Sequence, residues 1–432
     1  MPGPGPAPWT CPFCPLLCDS FAVKAEPSGA RLGLVGSDCA RANAALARFG
    51  AAPANVRAQI NGRAVETDGA IAAAAALLAN SRQPLFGGLG TDVAGARALY
   101  RLACETGAIC DPANGRALMH GLRSLQDRGA FTTTLAEVRN RADLIVCMTG
   151  DPSARLPEFY RRCGLGEVGA DGTAMARHVA VLRSLPAPGD HALPTGLAGI
   201  STEAIALHGD LFTTASVLAA LVAGRVVRDA PAALVALAAR LLAARYAVIV
   251  WEGAVLPAHG ALLAETINAI VGTLNRSTRA AAFPLGGGDG AATVNQVFAW
   301  LGGLPLRSRL GPLGLEHEPL RFDAQRLLAD GAVDALLWVA SFGTEPSPPA
   351  PLHLPRVVLA HPDTVLPAGP GDSVFIPVAT PGIGSAGHLF RTDGVVLMPL
   401  SAVYADTLPT VADVVGRLTL AVQALRRQGA AA

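Results

Sequence analysis

The sequence predicts an α/β chain of several domains, with mostly parallel sheets flanked by helices. Three observations support this. Short apolar runs rich in β-branched residues alternate with helical patterns from residue 67 onward. Most of those runs are apolar throughout, as strands buried on both faces are. Hydrophobic residues make up 51% of the 432 and charged residues 16%, a balance suited to large buried areas.

The elements follow in order. Residues 1–55 are loop-rich and carry a four-cysteine motif. Gln59-Ile60-Asn61-Gly62-Arg63-Ala64-Val65 reads as two short strands about an Asn-Gly type I′ turn, and a helix is expected over 67–79. Strands are predicted at 85–89, 108–111, 144–148, 178–182, 247–251, 281–285, 335–340 and 357–360. Helices are predicted at 92–106, 118–126, 215–223, 232–244 and 261–274, with a helical tail over 410–427. Two sheets are expected instead of one of about ten strands, because very large twisted sheets tend to split. The Pro/Gly-rich stretch 186–199 is the candidate crossover between them, and 344–355 interrupts the C-terminal part. The resulting division is 1–66 (four-cysteine domain), 67–190 (first α/β domain), 191–343 (second α/β domain) and 344–432, returning to the first.

Composition excludes several classes. A formal net charge of +1 argues against an electrostatic footprint for nucleic acid or an anionic membrane. Lys24 is the one lysine, so an arginine excess reads as a GC-rich genome before it reads as guanidinium chemistry. The Pro/Gly-rich start lacks a basic and an apolar region, and no apolar stretch has transmembrane length, so a cytoplasmic location is expected. G-x-S-x-G, H-E-x-x-H and Walker A patterns are absent.

All eight cysteines fall at or before Cys163. Cys11, Cys14, Cys18 and Cys39 form C-x2-C-x3-C-x20-C, in which three thiolates wrap one face of a centre and a distant fourth closes it. Soft thiolates select zinc or iron–sulfur over hard cations. With no second C-x2-C and no nearby histidine, the spacing favours a [4Fe–4S] cluster over zinc, and an empty, vestigial site stays open. Cys104, Cys110, Cys147 and Cys163 read as small buried hydrophobes.

With that motif placed, the chain resembles the molybdopterin oxidoreductases, and more closely the B subunit of the formylmethanofuran dehydrogenases. The resemblance rests on Cys14-Pro15-Leu16-Leu17-Cys18-Asp19, on the segment from Thr133-Thr134-Leu135 to Leu144-Ile145-Val146, on Val294-Asn295-Gln296-Val297-Phe298-Ala299-Trp300-Leu301, and on Phe390-Arg391-Thr392-Asp393-Gly394-Val395. It implies a molybdopterin-oxidoreductase-like architecture and a tungsten or molybdenum bis-pterin centre fed by the adjacent cluster. That centre reduces CO2 to formate, which a separate amidohydrolase subunit condenses with methanofuran.

The sequence departs from this pattern twice. The metal-ligating Cys-His-Gly of the resembled family stands here as Met119-His120-Gly121, and a neutral thioether cannot replace a thiolate's charge. The active-site arginine falls within Gly286-Gly287-Gly288-Asp289-Gly290, which contains none. The resemblance is therefore strongest to the B subunit of the bacterial formyltransferase/hydrolase complex. That complex moves a formyl group from tetrahydromethanopterin to a methanofuran analogue and hydrolyses it to formate, without electron transfer. The implied partners are amidohydrolase, β-helical and formyltransferase subunits, and the expected role is structural, without a tungsten or molybdenum pterin. The C-terminal β-barrel that covers the pterin in larger relatives is expected to be missing. The alternatives are an active metal–pterin formate dehydrogenase subunit and a pterin-free iron–sulfur relay.

Other features have a bland reading and a sharp one. His120 is either a relic of the metal pocket or a core histidine, and Met119 apolar filling. Phe86-Gly87-Gly88-Leu89-Gly90-Thr91-Asp92 has the chemistry of a phosphate cradle, but reads better as a tight strand–helix turn. Gly286–Gly290 is expected to be a flexible loop without special role, His317 part of a solvated charge cluster, and 137–141 an exposed helix end.

Overall fold

The computed structural model describes residues 8–25, 31–50, 56–167, 174–184, 199–346, 348, 353–366 and 371–431. It has two compact units, Met1–Gly115 with Gly287–Ala432, and Arg116–Gly286.

The first unit opens with a hairpin of β1 (Ala22–Ala25) and β2 (Leu32–Val35), then the short helix α1 (Ala40–Leu46). β3 (Ala58–Ile60) and β4 (Arg63–Val65) form the expected hairpin at the Asn-Gly pair. Asn61 and Gly62 have φ of 51° and 77°, as a type I′ turn requires. Next come α2 (Thr67–Asn80), β5 (Pro84–Gly90), α3 (Val93–Thr106) and β6 (Ile109–Pro112). The Asp92 carboxylate accepts the Gly95 N–H at 3.0 Å and starts α3, and Gly107 ends it in the left-handed region at φ 68°.

The second unit contains α4 (from Gly115 to Arg128), α5 (Leu135–Arg141), β7 (Leu144–Cys147), α6 (Phe159–Arg162), β8 (Arg177–Arg183), β9 (Ile200–Ala206), α7 (Leu211–Val222), α8 (Ala232–Ala243), β10 (Tyr246–Glu252), α9 (Gly260–Leu274) and β11 (Arg279–Leu285). The strands form an all-parallel sheet in the order β11-β10-β7-β8-β9. Every residue of β7 and β10 is buried, as apolar runs in a sheet covered on both faces must be. Leu218, Leu234, Leu241, Ile267 and Val271 belong to the core over it. The stretch 186–199 does not cross between sheets: it joins β8 to β9, neighbours in one sheet, and residues 185–198 lie outside the described part.

The chain then returns to the first unit through α10 (Ala291–Gly302), β12 (Ser308–Gly311), β13 (Gly314–His317), α11 (Ala324–Ala329), β14 (Ala335–Ala340), β15 (Arg356–Ala360), β16 (Ser373–Pro377), β17 (Gly387–Phe390), β18 (Leu397–Leu400) and α12 (Val411–Ala431). Its nine-stranded sheet has the order β13-β12-β6-β5-β14-β15-β16-β3-β4, parallel from β6 to β16 and antiparallel at both flanks. From β5 the chain moves one way to β6. When it returns at β14 it builds the other way, so the switch point lies between β5 and β14. A buried network ties the β12 side down. Arg307 donates to Asp111 at 2.9 Å and to Asp323 at 2.6 Å, and the Ala324 N–H donates to Asp111 at 2.8 Å.

The unit boundaries, at 115/116 and 286/287, differ from the sequence-based ones at 66/67, 190/191 and 343/344. β7 and β8 belong to one sheet with the later β10, and residues 287–343 fall with 344–432 in the first unit. Sequence spacing carries no record of which distant strands pair. Among the described residues, no helix is long and apolar enough to cross a membrane.

Candidate metal centre

The segment 11–18 closes on itself through backbone chemistry. The Cys11 N–H donates to the Cys18 carbonyl at 2.8 Å, and Leu17 turns the chain at φ 45°. Cys39 stands immediately before α1, and its N–H donates to Ser37 Oγ at 3.0 Å. All four cysteines are buried. Burial pushes the Cys11 thiol well up, and the neighbouring thiols Cys14, Cys18 and Cys39 push it further, so the structure brings the four predicted residues into one electrostatic group. Burial also raises Cys14, while the guanidinium of Arg41 pulls it back. Arg41 Nε donates to the Phe13 carbonyl at 2.6 Å inside the loop.

Four buried thiols this close cannot all ionise unless a cation joins them. Among the described residues, no group of three or more His, Cys, Asp or Glu side chains is arranged as the ligand set of a single metal ion. The chemistry of the donors, four soft thiols without an imidazole, suits an iron–sulfur centre, in which each thiolate binds its own iron.

The second metal position fits worse. Met119 and His120 lie buried in α4. Close packing surrounds this part of α4: a Cβ on Gly121 would meet the Trp251 ring at 3.2 Å, one on Gly260 the His120 ring at 3.2 Å, and one on Gly253 the Ala117 carbonyl oxygen at 2.5 Å. The resemblance puts a high-valent metal's anionic ligand at this position, and Met119, an uncharged thioether, does not fit that role.

The glycine-rich loop is not the free segment expected. A Cβ on Gly288 would lie 3.3 Å from Pro15 of the cysteine loop, and one on Gly290 2.4 Å from the Thr91 carbonyl oxygen. Asp289, at φ 52°, accepts from Thr344 Oγ1 at 2.7 Å and has Arg41 at 3.9 Å. Nor is His317 solvated: it is half-buried and its Nδ1 meets the Arg307 carbonyl at 3.1 Å, while Glu316 pairs with Arg309 at 2.9 Å. Most of 86–92 is strand, not turn: β5 runs buried through Gly90, and only Thr91 and Asp92 connect it to α3. Cys110, Cys147 and Cys163 are buried, and burial raises their thiols out of the reactive range, while Cys104 is half-buried. Sequence reasoning missed Glu345. Its carboxyl group is buried beside Asp289, with Oε1 accepting the Phe342 N–H at 2.8 Å, and no sequence signal marks it.

Comparison with known proteins places this arrangement. No family model matches the chain. It is 26% identical to the B subunit of the tungsten-containing formylmethanofuran dehydrogenase 2 of Methanocaldococcus jannaschii, over 89% of this chain and 91% of that protein. The fold and the cysteine loop thus define a relative of formylmethanofuran dehydrogenase B subunits. The B subunit of the formyltransferase/hydrolase complex Fhc of Methylorubrum extorquens is 33% identical over 77% of this chain and 88% of its own length. The crystal structure of the formyltransferase/hydrolase complex (FhcABCD) from Methylorubrum extorquens in complex with methylofuran matches with a TM-score of 0.72 and 30% identity, covering 86% of this chain and 99% of that one. The chain belongs to the family of formyltransferase/hydrolase complex B subunits.

Proposed function

We propose that this chain is the structural B subunit of a formyltransferase/hydrolase complex, acting in one-carbon metabolism from formaldehyde to formate without redox chemistry of its own. The observation that carries the reading is Met119. By the resemblance it stands where the redox family has an anionic metal ligand, and it is an uncharged side chain buried in α4. The solved relative is part of a complex of several subunits, which together with the family membership supports heteromeric assembly. The partners would be amidohydrolase, β-helical and formyltransferase subunits, in the cytoplasm, with neither nucleic acid nor membrane engaged. The architecture would be molybdopterin-oxidoreductase-like, without the C-terminal β-barrel.

Cys11, Cys14, Cys18 and Cys39 would hold a [4Fe–4S] cluster. Bound there, such a cluster supplies positive charge and four covalent ties. The residues around it do the rest: Arg41 braces the loop at Phe13, and burial of the four thiols keeps water away. Cys39→Ser should lower iron content and abolish the EPR signal of the reduced chain while leaving formyl hydrolysis by the whole complex within about twofold; iron retention in that variant would remove Cys39 from the ligand set. The reading as a whole is tested by tungsten and molybdenum analysis of the purified complex together with a formate–viologen assay. Stoichiometric metal with formate oxidation would overturn it.

A further inference from the structure

We infer that Glu345 and Asp92 plug the crevice at the switch point of the nine-stranded sheet, placing the chain's own carboxyl groups where an open sheet would hold the phosphates of a nucleotide. The inference deepens the reading of the chain as pterin-free and rests on it.

The crevice has every feature that invites an anion. It lies beyond the carboxyl ends of β5 and β14, where open α/β sheets take ligands. It adjoins the N-terminus of α3, and Gly90, the last residue of β5, borders it. Each invitation is cancelled by a side chain of the protein. The Glu345 side chain lies flat on Gly90, so that a Cβ there would meet Oε1 at 2.2 Å. Asp92 takes the Gly95 N–H at the start of α3, and its Oδ2 lies 2.8 Å from the Cβ position of Gly387. Asp289 adds a third carboxyl group, and the cation beside it, Arg41, is engaged with the Phe13 carbonyl. A phosphate entering here would meet carboxyl groups instead of N–H donors.

The plug fills the space without satisfying it. Thr91 Oγ1 and Glu345 Oε2 are buried with no hydrogen-bond partner among the described residues. Buried polar atoms nearly always find a partner, so two left over beside Gly90 mark this place as polar yet closed to solvent.

The full-length chain is titrated by calorimetry with guanosine diphosphate and, separately, inorganic pyrophosphate. The variants are Asp92→Ser/Glu345→Ala, in which serine keeps the helix cap, and Glu345→Ser alone in case the double variant fails to fold. The plug expects pyrophosphate to bind a folded variant at least about tenfold more tightly than the natural chain. Equal affinity in a folded variant, or guanosine diphosphate bound by the natural chain as tightly as by the variant, overturns it. Metal analysis of the same samples separates the two levels: tungsten or molybdenum would sink the pterin-free reading whatever the calorimetry shows.

Discussion

At the residue scale, burial decides more than pairing. His361, just past the end of β15, is buried edge-on to Phe49, with ring centroids 4.7 Å apart. Burial holds its imidazole down at about 4, with Asp363 raising it and Arg48 adding to the fall. The unfolded chain binds this proton near 6.5 and the folded chain only near 4. Stability is therefore fully present above 6.5 and is lost as pH falls from 6.5 towards 4, by about 3 kcal/mol at most. Urea unfolding at several pH values should show this slope in the natural chain and lose it in His361→Gln; an unchanged slope would place the effect elsewhere. Arg307 makes a complementary case. Its guanidinium is held by Asp111 and Asp323, and Arg307→Ala leaves two carboxyl groups facing each other in the interior. The expected loss is about 3–5 kcal/mol by chemical denaturation, whereas a surface pair such as Arg57–Glu66 should cost under about 1 kcal/mol. Neither site is legible in the sequence, because Asp111 and Arg307 are 196 positions apart and nothing local signals their meeting.

At the element scale, legibility follows burial on both faces. The sequence predicts β14 at its full span and β10 to within a residue at each end, because apolar runs such as Ala335–Ala340 have one physical explanation. β9, with the sequence Ile-Ser-Thr-Glu-Ala-Ile-Ala, is half-exposed at a sheet edge and carries no such run, so nothing marks it, nor the short hairpin of β12 and β13. α7 starts at Leu211, ahead of the predicted 215, because Asp210 accepts the Thr213 N–H at 2.7 Å and begins the helix early. The end of β5 offers a direct test of packing. Gly90→Ala keeps an allowed backbone but drives a methyl group into Glu345, and should cost about 1–3 kcal/mol. In a Glu345→Ala background most of that cost should vanish, a coupling a double-mutant cycle would measure; additive losses would mean that the Glu345 side chain lies elsewhere.

At the scale of the whole molecule, the sequence carries the class and the chemistry further than the architecture. The α/β class follows from alternation and the presence of two main sheets from the number of strands, but the units do not. The first unit is interrupted along the chain by the whole of the second, and the returning β14 inserts beside β5. The four cysteines are legible because their chemistry is local and spaced, and Met119 because a departure from a recognised motif shows at a single position. The carboxyl groups around Gly90 are not, because Glu345 comes from a proline-rich stretch that reads only as a break.

The central claim is that the chain keeps the fold of a formate-handling redox subunit without its high-valent metal. Elemental analysis of the intact purified complex tests this most directly. The account expects iron bound through the four cysteines, and tungsten and molybdenum far below one atom per chain. One atom of either per chain, lost together with viologen-linked formate oxidation in Met119→Ala, would contradict it.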